Sequence, residues 1–340
     1  MSRPVVLLDP APRVPADIFT DAMRRRLESG FEIVERGDRP VADFLAAHLP
    51  RADFIIGQPP LDAAAIDRAP SLRAVINVEG NFLQNMDYAA CFGRGIHVLG
   101  IGPVFARPVA ELALGLALAL ARDIPAAHTA FGQGDERYGL DGNHGARLLH
   151  RCTLGFIGFG DLGRAILKVF AGFEPRVLVH DPWLSPEVLR REGLEPASLD
   201  TVLATGDVVP VVASVTDDSR HMLGREQLAR LRPGALLLIL SRAEVVDFEA
   251  LREACASGRI RAATDVLPQE PLPADSPLRG TPNLLLSAHR AGALTGALHE
   301  IGERVVADLE LMAAGLPPQN CKRAERELVS RARSRPVERS

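Results

Sequence analysis

One run, Gly155-Phe156-Ile157-Gly158-Phe159-Gly160-Asp161-Leu162-Gly163, constrains this chain more than any other. The apolar stretch from Leu154 to Ile157 reads as a buried strand, and Gly158, Gly160 and Gly163 form G-x-G-x-x-G where a helix should begin. The first glycine permits a tight turn, the second lets backbone approach a pyrophosphate, and the third lets helix and strand pack closely. A diphosphate would rest on the helix N-terminus, beside the N–H groups of Asp161 and Leu162. A second apolar strand, Arg176 to His180, then delivers Asp181, eighteen residues after Gly163, where a carboxylate accepts hydrogen bonds from a ribose diol. Strand, glycines, helix, strand and terminal acid together predict a site for NAD(H). The Asp181 carboxylate would repel a 2′-phosphate, which disfavours NADP.

The bounds suit an enzyme of ordinary composition. At 340 residues the chain exceeds one typical core, so two domains are expected. A net charge of −4 gives no reason to expect a nucleic-acid partner. Residues 321–340 differ: seven Lys/Arg against three Glu give this stretch +4, and it reads as a frayed, solvated, flexible tail. Four scattered cysteines, Cys91, Cys152, Cys255 and Cys321, show no metal or disulfide spacing. The opening apolar run Val5–Leu8 is too short for a signal-peptide core. The oily run Val109–Ala121 contains Glu111 and falls short of a membrane span, so a cytoplasmic protein without a membrane partner is expected.

Short apolar strands alternate with helical patterns, which predicts α/β architecture with parallel sheets. Strands are expected at 5–9, 31–35, 54–57, 74–78 and 97–99, with helices near 17–28, 41–48 and 61–68 between them. A second series of strands follows at 154–158, 177–180, 208–212, 236–240, 262–266 and 284–287. The expected domains are 1–101, completed by 293–320, for substrate, and 102–292 for the dinucleotide. Each is a doubly wound parallel sheet, one Rossmann and one flavodoxin-like, with an active-site cleft between them.

Three ionisable residues lie just beyond strands of the dinucleotide domain: Arg242, Glu270 and His289. Reduction of a 2-oxo acid needs a cation that holds a carboxylate in a defined plane, which a guanidinium does bidentately. It also needs an acid for the developing alkoxide, and an imidazole can give and recover that proton near neutrality. A carboxylate on the far ring nitrogen would favour the imidazolium and fix its orientation.

These residues and their surroundings resemble the D-isomer-specific 2-hydroxyacid dehydrogenase family. The likeness runs from about Leu72 to Gly315, through Pro108-Val109-Ala110-Glu111, Gly155–Gly163, Arg232-Pro233-Gly234-Ala235, Ser241-Arg242-Ala243, Asp265-Val266, Glu270-Pro271-Leu272 and Ala288-His289-Arg290-Ala291-Gly292. It implies a catalytic set of Arg242, Glu270 and His289, cofactor contacts at Ser241 and Asp265, a small anionic 2-oxo or 2-hydroxy acid as substrate, and a homodimer. It also implies a substrate contact at the Gly80 backbone, and Asn81 and Phe82 beside it could shape the same pocket. The chain departs from the family at Phe82, which replaces a usual glycine and should reshape the pocket, the alternative being an ordinary core position, and at Ala243, Ala288 and Arg290. Arg290 beside His289 would add a second cation and favour a substrate with an extra anionic group; the alternative is a surface ion pair. Two further readings remain beside the dehydrogenase: an NAD(H)-sensing binding protein, and a relative that oxidises another small anion such as phosphite.

Overall fold

A computed structural model describes residues 3–334. The chain begins with β1 (Val5–Asp9), α1 (Pro15–Ile18), α2 (Asp21–Gly30), β2 (Glu32–Glu35), α3 (Val41–His48), β3 (Phe54–Gly57), α4 (Ala63–Asp67), β4 (Ala74–Asn77), α5 (Tyr88–Gly93) and β5 (His97–Gly100). It continues through α6 (Ala106–Arg122), α7 (Ile124–Gln133), β6 (Thr153–Ile157), α8 (Asp161–Phe170), β7 (Arg176–His180), α9 (Pro186–Arg191), β8 (Glu195–Pro196) and α10 (Leu199–Thr205). Next come β9 (Val208–Val211), α11 (Arg225–Arg230), β10 (Leu236–Ile239), α12 (Phe248–Ala256), β11 (Arg261–Thr264) and β12 (Leu284–Leu286). The described chain closes with α13 (Thr295–Ala313), β13 (Lys322–Arg323) and α14 (Arg326–Arg331).

Two compact units result, 1–105 with 293–340, and 106–292. The first unit holds a sheet ordered β13-β5-β4-β3-β1-β2, parallel except for β13. The second holds a seven-stranded parallel sheet ordered β12-β11-β10-β9-β6-β7-β8, whose order reverses beside β6. Both are doubly wound, and covering both faces of a parallel sheet explains why β1, β3, β4, β9 and β10 read as unbroken apolar runs.

Four expectations need correction. The helix expected over 17–28 is two helices, because the Thr20 hydroxyl caps α2 by accepting from Met23 N–H at 3.3 Å. The unit boundary falls after Phe105 rather than Ile101. A turn at Gly102–Phe105 belongs to the first unit: a Cβ on Gly102 would strike the Gly80 carbonyl, so the two segments lie back to back. The oily run is the middle of a longer helix, and Gly102–Arg122 is, among the described residues, long and apolar enough to cross a membrane. Half of that window is buried, and α6 packs on α8, β10 and β11, as a core helix does. Finally, the stretch after Asn320 is ordered as β13 and α14 through Ser334. Its charges sit on solvent-facing positions, while Ala324, Leu328 and Val329 pack on the apolar core of the first unit. Residues 335–340 of the expected tail lie outside the described residues.

Candidate active site

The glycine turn after β6 shows what each glycine does. Gly158 has φ +82°, and a Cβ there would stand 2.6 Å from the Ala213 backbone. Only glycine fits. A Cβ on Gly160 would meet nothing within 4 Å, so this position leaves space above the helix rather than filling it. No side chain caps α8 at Gly160, and the N–H groups of Asp161, Leu162 and Gly163 open its first turn. Asp181 follows β7 and holds the turn from the other side: one oxygen accepts from Phe159 N–H and the other from Trp183 N–H, each at 2.8 Å. Each carboxylate oxygen keeps a lone pair for a ribose hydroxyl. Arg164 is engaged in an ion pair with Glu192 and lies over the Phe159 ring.

Beyond the other half of the sheet, β10, β11 and β12 end in register, Ile239 opposite Thr264 and Thr264 opposite Leu286. Ser241, Arg242, Asp265 and Ser287 therefore emerge side by side. The Ser241 hydroxyl is buried and has no hydrogen-bond partner among the described residues, which fits a polar contact with a bound dinucleotide. The Arg242 guanidinium donates to its neighbour's carbonyl, Ser241 O, at 2.7 Å. Asp265 is buried and accepts from the Ser287 hydroxyl at 2.6 Å and from the N–H groups of Arg290 and Ala291 at 3.0 Å each.

That last set of bonds matters for His289. Its backbone is in the left-handed region, φ +48°, an arrangement that costs a non-glycine residue about 1–3 kcal/mol. Asp265 holds the turn on both sides of it, so the ring's position is over-determined. The imidazole Nδ1 lies 2.7 Å from Glu270 Oε2, while Glu270 Oε1 accepts from Leu267 N–H at 2.9 Å. Burial pushes the Glu270 carboxyl up, but its bonds to His289 and Leu267 and the charges of His289 and Arg242 outweigh that and hold it below the usual glutamate range. An ionised Glu270 can only accept, so Nδ1 carries the proton and Nε2 faces outward.

The sequence points to Asp265 as a cofactor contact; its role in fixing the 287–291 turn is legible only from the fold. Arg290 contributes its N–H to that turn, and its exposed side chain has no ion pair among the described residues.

The first unit has its own constellation, at the carboxyl ends of β1, β3 and β4. Asn77, fully buried at the end of β4, accepts from Glu79 N–H at 2.8 Å and donates to Asn81 O at 3.1 Å. Gln58 accepts from Val78 N–H at 3.2 Å and donates to Ala11 O. The Tyr88 hydroxyl, pushed up to about 12 by burial, donates to Leu83 O at 2.6 Å. The N–H groups of Gly80, Asn81 and Phe82 meet no acceptor among the described residues, and such a row of free donors suits an anion. The Phe82 ring does not line this row. It is buried in the core with Leu61, Val75, Cys91 and Val98, against Gly100, so only its backbone is available to a ligand.

Residues 114–291 match the NAD binding domain of the D-isomer specific 2-hydroxyacid dehydrogenases. The chain is 31% identical over 306 residues to glyoxylate/hydroxypyruvate reductase B of Pectobacterium carotovorum, covering 89% of this chain and 95% of the relative. It belongs to the D-isomer specific 2-hydroxyacid dehydrogenase family.

A phosphoglycerate oxidoreductase structure from Rhizobium etli is 49% identical, with a TM-score of 0.83 over 95% of this chain and 99% of that one. D-3-phosphoglycerate dehydrogenase of Mycobacterium tuberculosis is 31% identical over 93% of this chain and 58% of its own length. The chain is thus an NAD-dependent oxidoreductase, and the glycine turn, Asp181 and the unpartnered Ser241 hydroxyl are groups that fit its NAD(H).

Proposed function

We propose that this dehydrogenase interconverts a small 2-oxo acid and its D-2-hydroxy acid, with Arg242, Glu270 and His289 as the catalytic set. The observation that carries the reading is the 2.7 Å bond between Glu270 and His289 Nδ1, on a strained turn locked by Asp265 and with Arg242 within electrostatic reach. NADH, when bound, supplies a hydride to the carbonyl carbon. Arg242 holds the substrate carboxylate, bidentately once released from Ser241 O. His289 Nε2–H hydrogen-bonds to the carbonyl oxygen and gives up its proton as negative charge develops there. Glu270 keeps the ring oriented and stabilises the charge on it before transfer. The free N–H groups at Gly80, Asn81 and Phe82 are proposed as donors to the acid's carboxylate, and Asp265 and Ser241 as contacts of the nicotinamide.

The exposed Arg290 favours an acid with a second anionic group, and the phosphoglycerate oxidoreductase name of a 49% identical structure points the same way. The test is NADH oxidation with glyoxylate, pyruvate, hydroxypyruvate, oxaloacetate and phosphonopyruvate. Preference for a dianionic acid that collapses in Arg290→Leu is expected; unchanged selectivity would remove Arg290 from recognition. No turnover on any 2-oxo acid, with NADH still bound, would favour the NAD(H)-sensing reading, and turnover on phosphite the other.

A homodimer is proposed through the second unit. None of the ten residues of α7 is buried, and Ile124 and Phe131 on it, with Tyr138, Leu140 and Leu148 beyond it, are exposed. Sedimentation should give twice the chain mass, and Phe131→Glu should halve it.

A further inference from the structure

The ordered C-terminal segment has a path with a consequence for the loop Gly80–Asp87. Its starting point is fixed by Asp308, a fully buried carboxylate on α13. Asp308 accepts from the N–H groups of Gln319, Asn320 and Cys321 and from the Asn320 amide, all within 2.8–2.9 Å. β13 then pairs with β5, and Ala324 N–H donates to Val98 O at 2.8 Å. α14 lies against α5, with the Arg326 guanidinium 5.4 Å above the Phe92 ring. Leu328 and Val329 enter the apolar cluster that holds Phe82 and Cys91. The chain then reaches buried Ser334, whose carbonyl accepts from Gln84 N–H at 3.1 Å.

The segment thus bears on the loop in two ways, directly through Gln84 and by packing against the cluster that holds Phe82. On their other sides the loop residues are held by Asn77, Tyr88 and, at Leu61, by the Asn85 carbonyl and Asp87 N–H. Without the segment, the apolar cluster that holds Phe82 loses three of the side chains packed against it, and Gln84 N–H loses its acceptor. We propose that residues 322–334 are a positioning strap for the loop Gly80–Asp87 and so set how tightly the enzyme holds its 2-oxo acid. The inference rests on the reading above that the Gly80–Phe82 backbone binds the substrate carboxylate.

The test is made in the full-length chain with Leu328→Ser/Val329→Ser, which strips α14 of its apolar face, and two readings are taken. Amide hydrogen exchange at Gln84 and Asp87, the loop N–H groups that have acceptors, should rise while β1 and β3 stay protected. KM for the preferred 2-oxo acid should rise about tenfold with NADH affinity within about twofold, a split that general destabilisation would not give. If the double variant does not fold, Arg326→Ala with the same readings is the gentler substitute, with smaller shifts in the same direction. Exchange and KM both unchanged would overturn the strap. Faster exchange with KM unchanged would instead overturn the placement of the acid on this loop, and with it the strap's effect on substrate.

Discussion

The two units place polar groups at the carboxyl ends of their strands by opposite means. In the second unit each functional group is held by a partner close along the chain or on the next strand. Glu270 bonds Leu267 and His289, Asp181 bonds Phe159 and Trp183, and Asp265 bonds the turn after the neighbouring strand. In the first unit the loop after β4 offers a row of free backbone donors at Gly80, Asn81 and Phe82. It is held by Gln58, Asn77 and Tyr88 and by Ser334, some 250 residues away in sequence. Side-chain chemistry leaves a motif, because residue types must recur at fixed places. Backbone chemistry leaves almost none, because what must be right is the scaffold behind it.

The sharpest break in that comparison should come from two glycines of one turn, Gly158 and Gly160. Gly158→Ala places a Cβ 2.6 Å from backbone at a positive φ and should cost about 3 kcal/mol or more of stability in urea unfolding. Gly160→Ala meets no atom, so its midpoint should stay put while NADH affinity falls. Equal loss of stability in both would show that the second glycine is structural.

Next in size is Glu270→Gln, which keeps an acceptor for His289 Nδ1 but removes the charge. Turnover should fall about a hundredfold. The sign with pH follows from the depressed Glu270 value: the carboxylate is present above it, and its contribution is lost as pH falls through it. Wild-type activity should therefore carry an acid limb below the ordinary glutamate value of about 4.3, and the Gln variant should lack it. A limb that persists in the variant would assign it elsewhere.

The smallest effect is expected in the first unit. Asn77→Ala removes two bonds to the loop and leaves Glu79 N–H without its buried acceptor, at a cost of about 1–3 kcal/mol. KM for the 2-oxo acid should rise, with NADH affinity unchanged. A change in NADH affinity instead would remove the division of labour between the units.

What was legible follows the same line. Every expected strand stands within a residue or two of its place, because fully covered parallel strands must be apolar throughout, while the two-residue edge strands β8 and β13, polar and short, were not expected. The glycine turn, Asp181 and the strand-end residues Arg242, Glu270 and His289 were visible as residue types in order. The role of Asp265 in holding the His289 turn was not, since nothing in sequence says that Arg290 and Ala291 N–H groups need an acceptor. Asn77 and Gln58 carried a faint signal as polar residues ending buried apolar runs. Phe82 could be read as pocket or as core, and it packs inward; the alternation around the loop cannot decide between the two without Gly100 opposite. The charge-rich C-terminal stretch hid its three apolar contacts, Ala324, Leu328 and Val329, among solvated arginines.

The central claim is that His289 moves the proton. It is tested most directly by single-turnover NADH oxidation with the preferred 2-oxo acid in wild type and His289→Ala, alongside NADH affinity by fluorescence. A rate lower by about a thousandfold with NADH bound as tightly as before is the predicted result. A rate within about tenfold of wild type would contradict it, and would move the acid to another group at these strand ends.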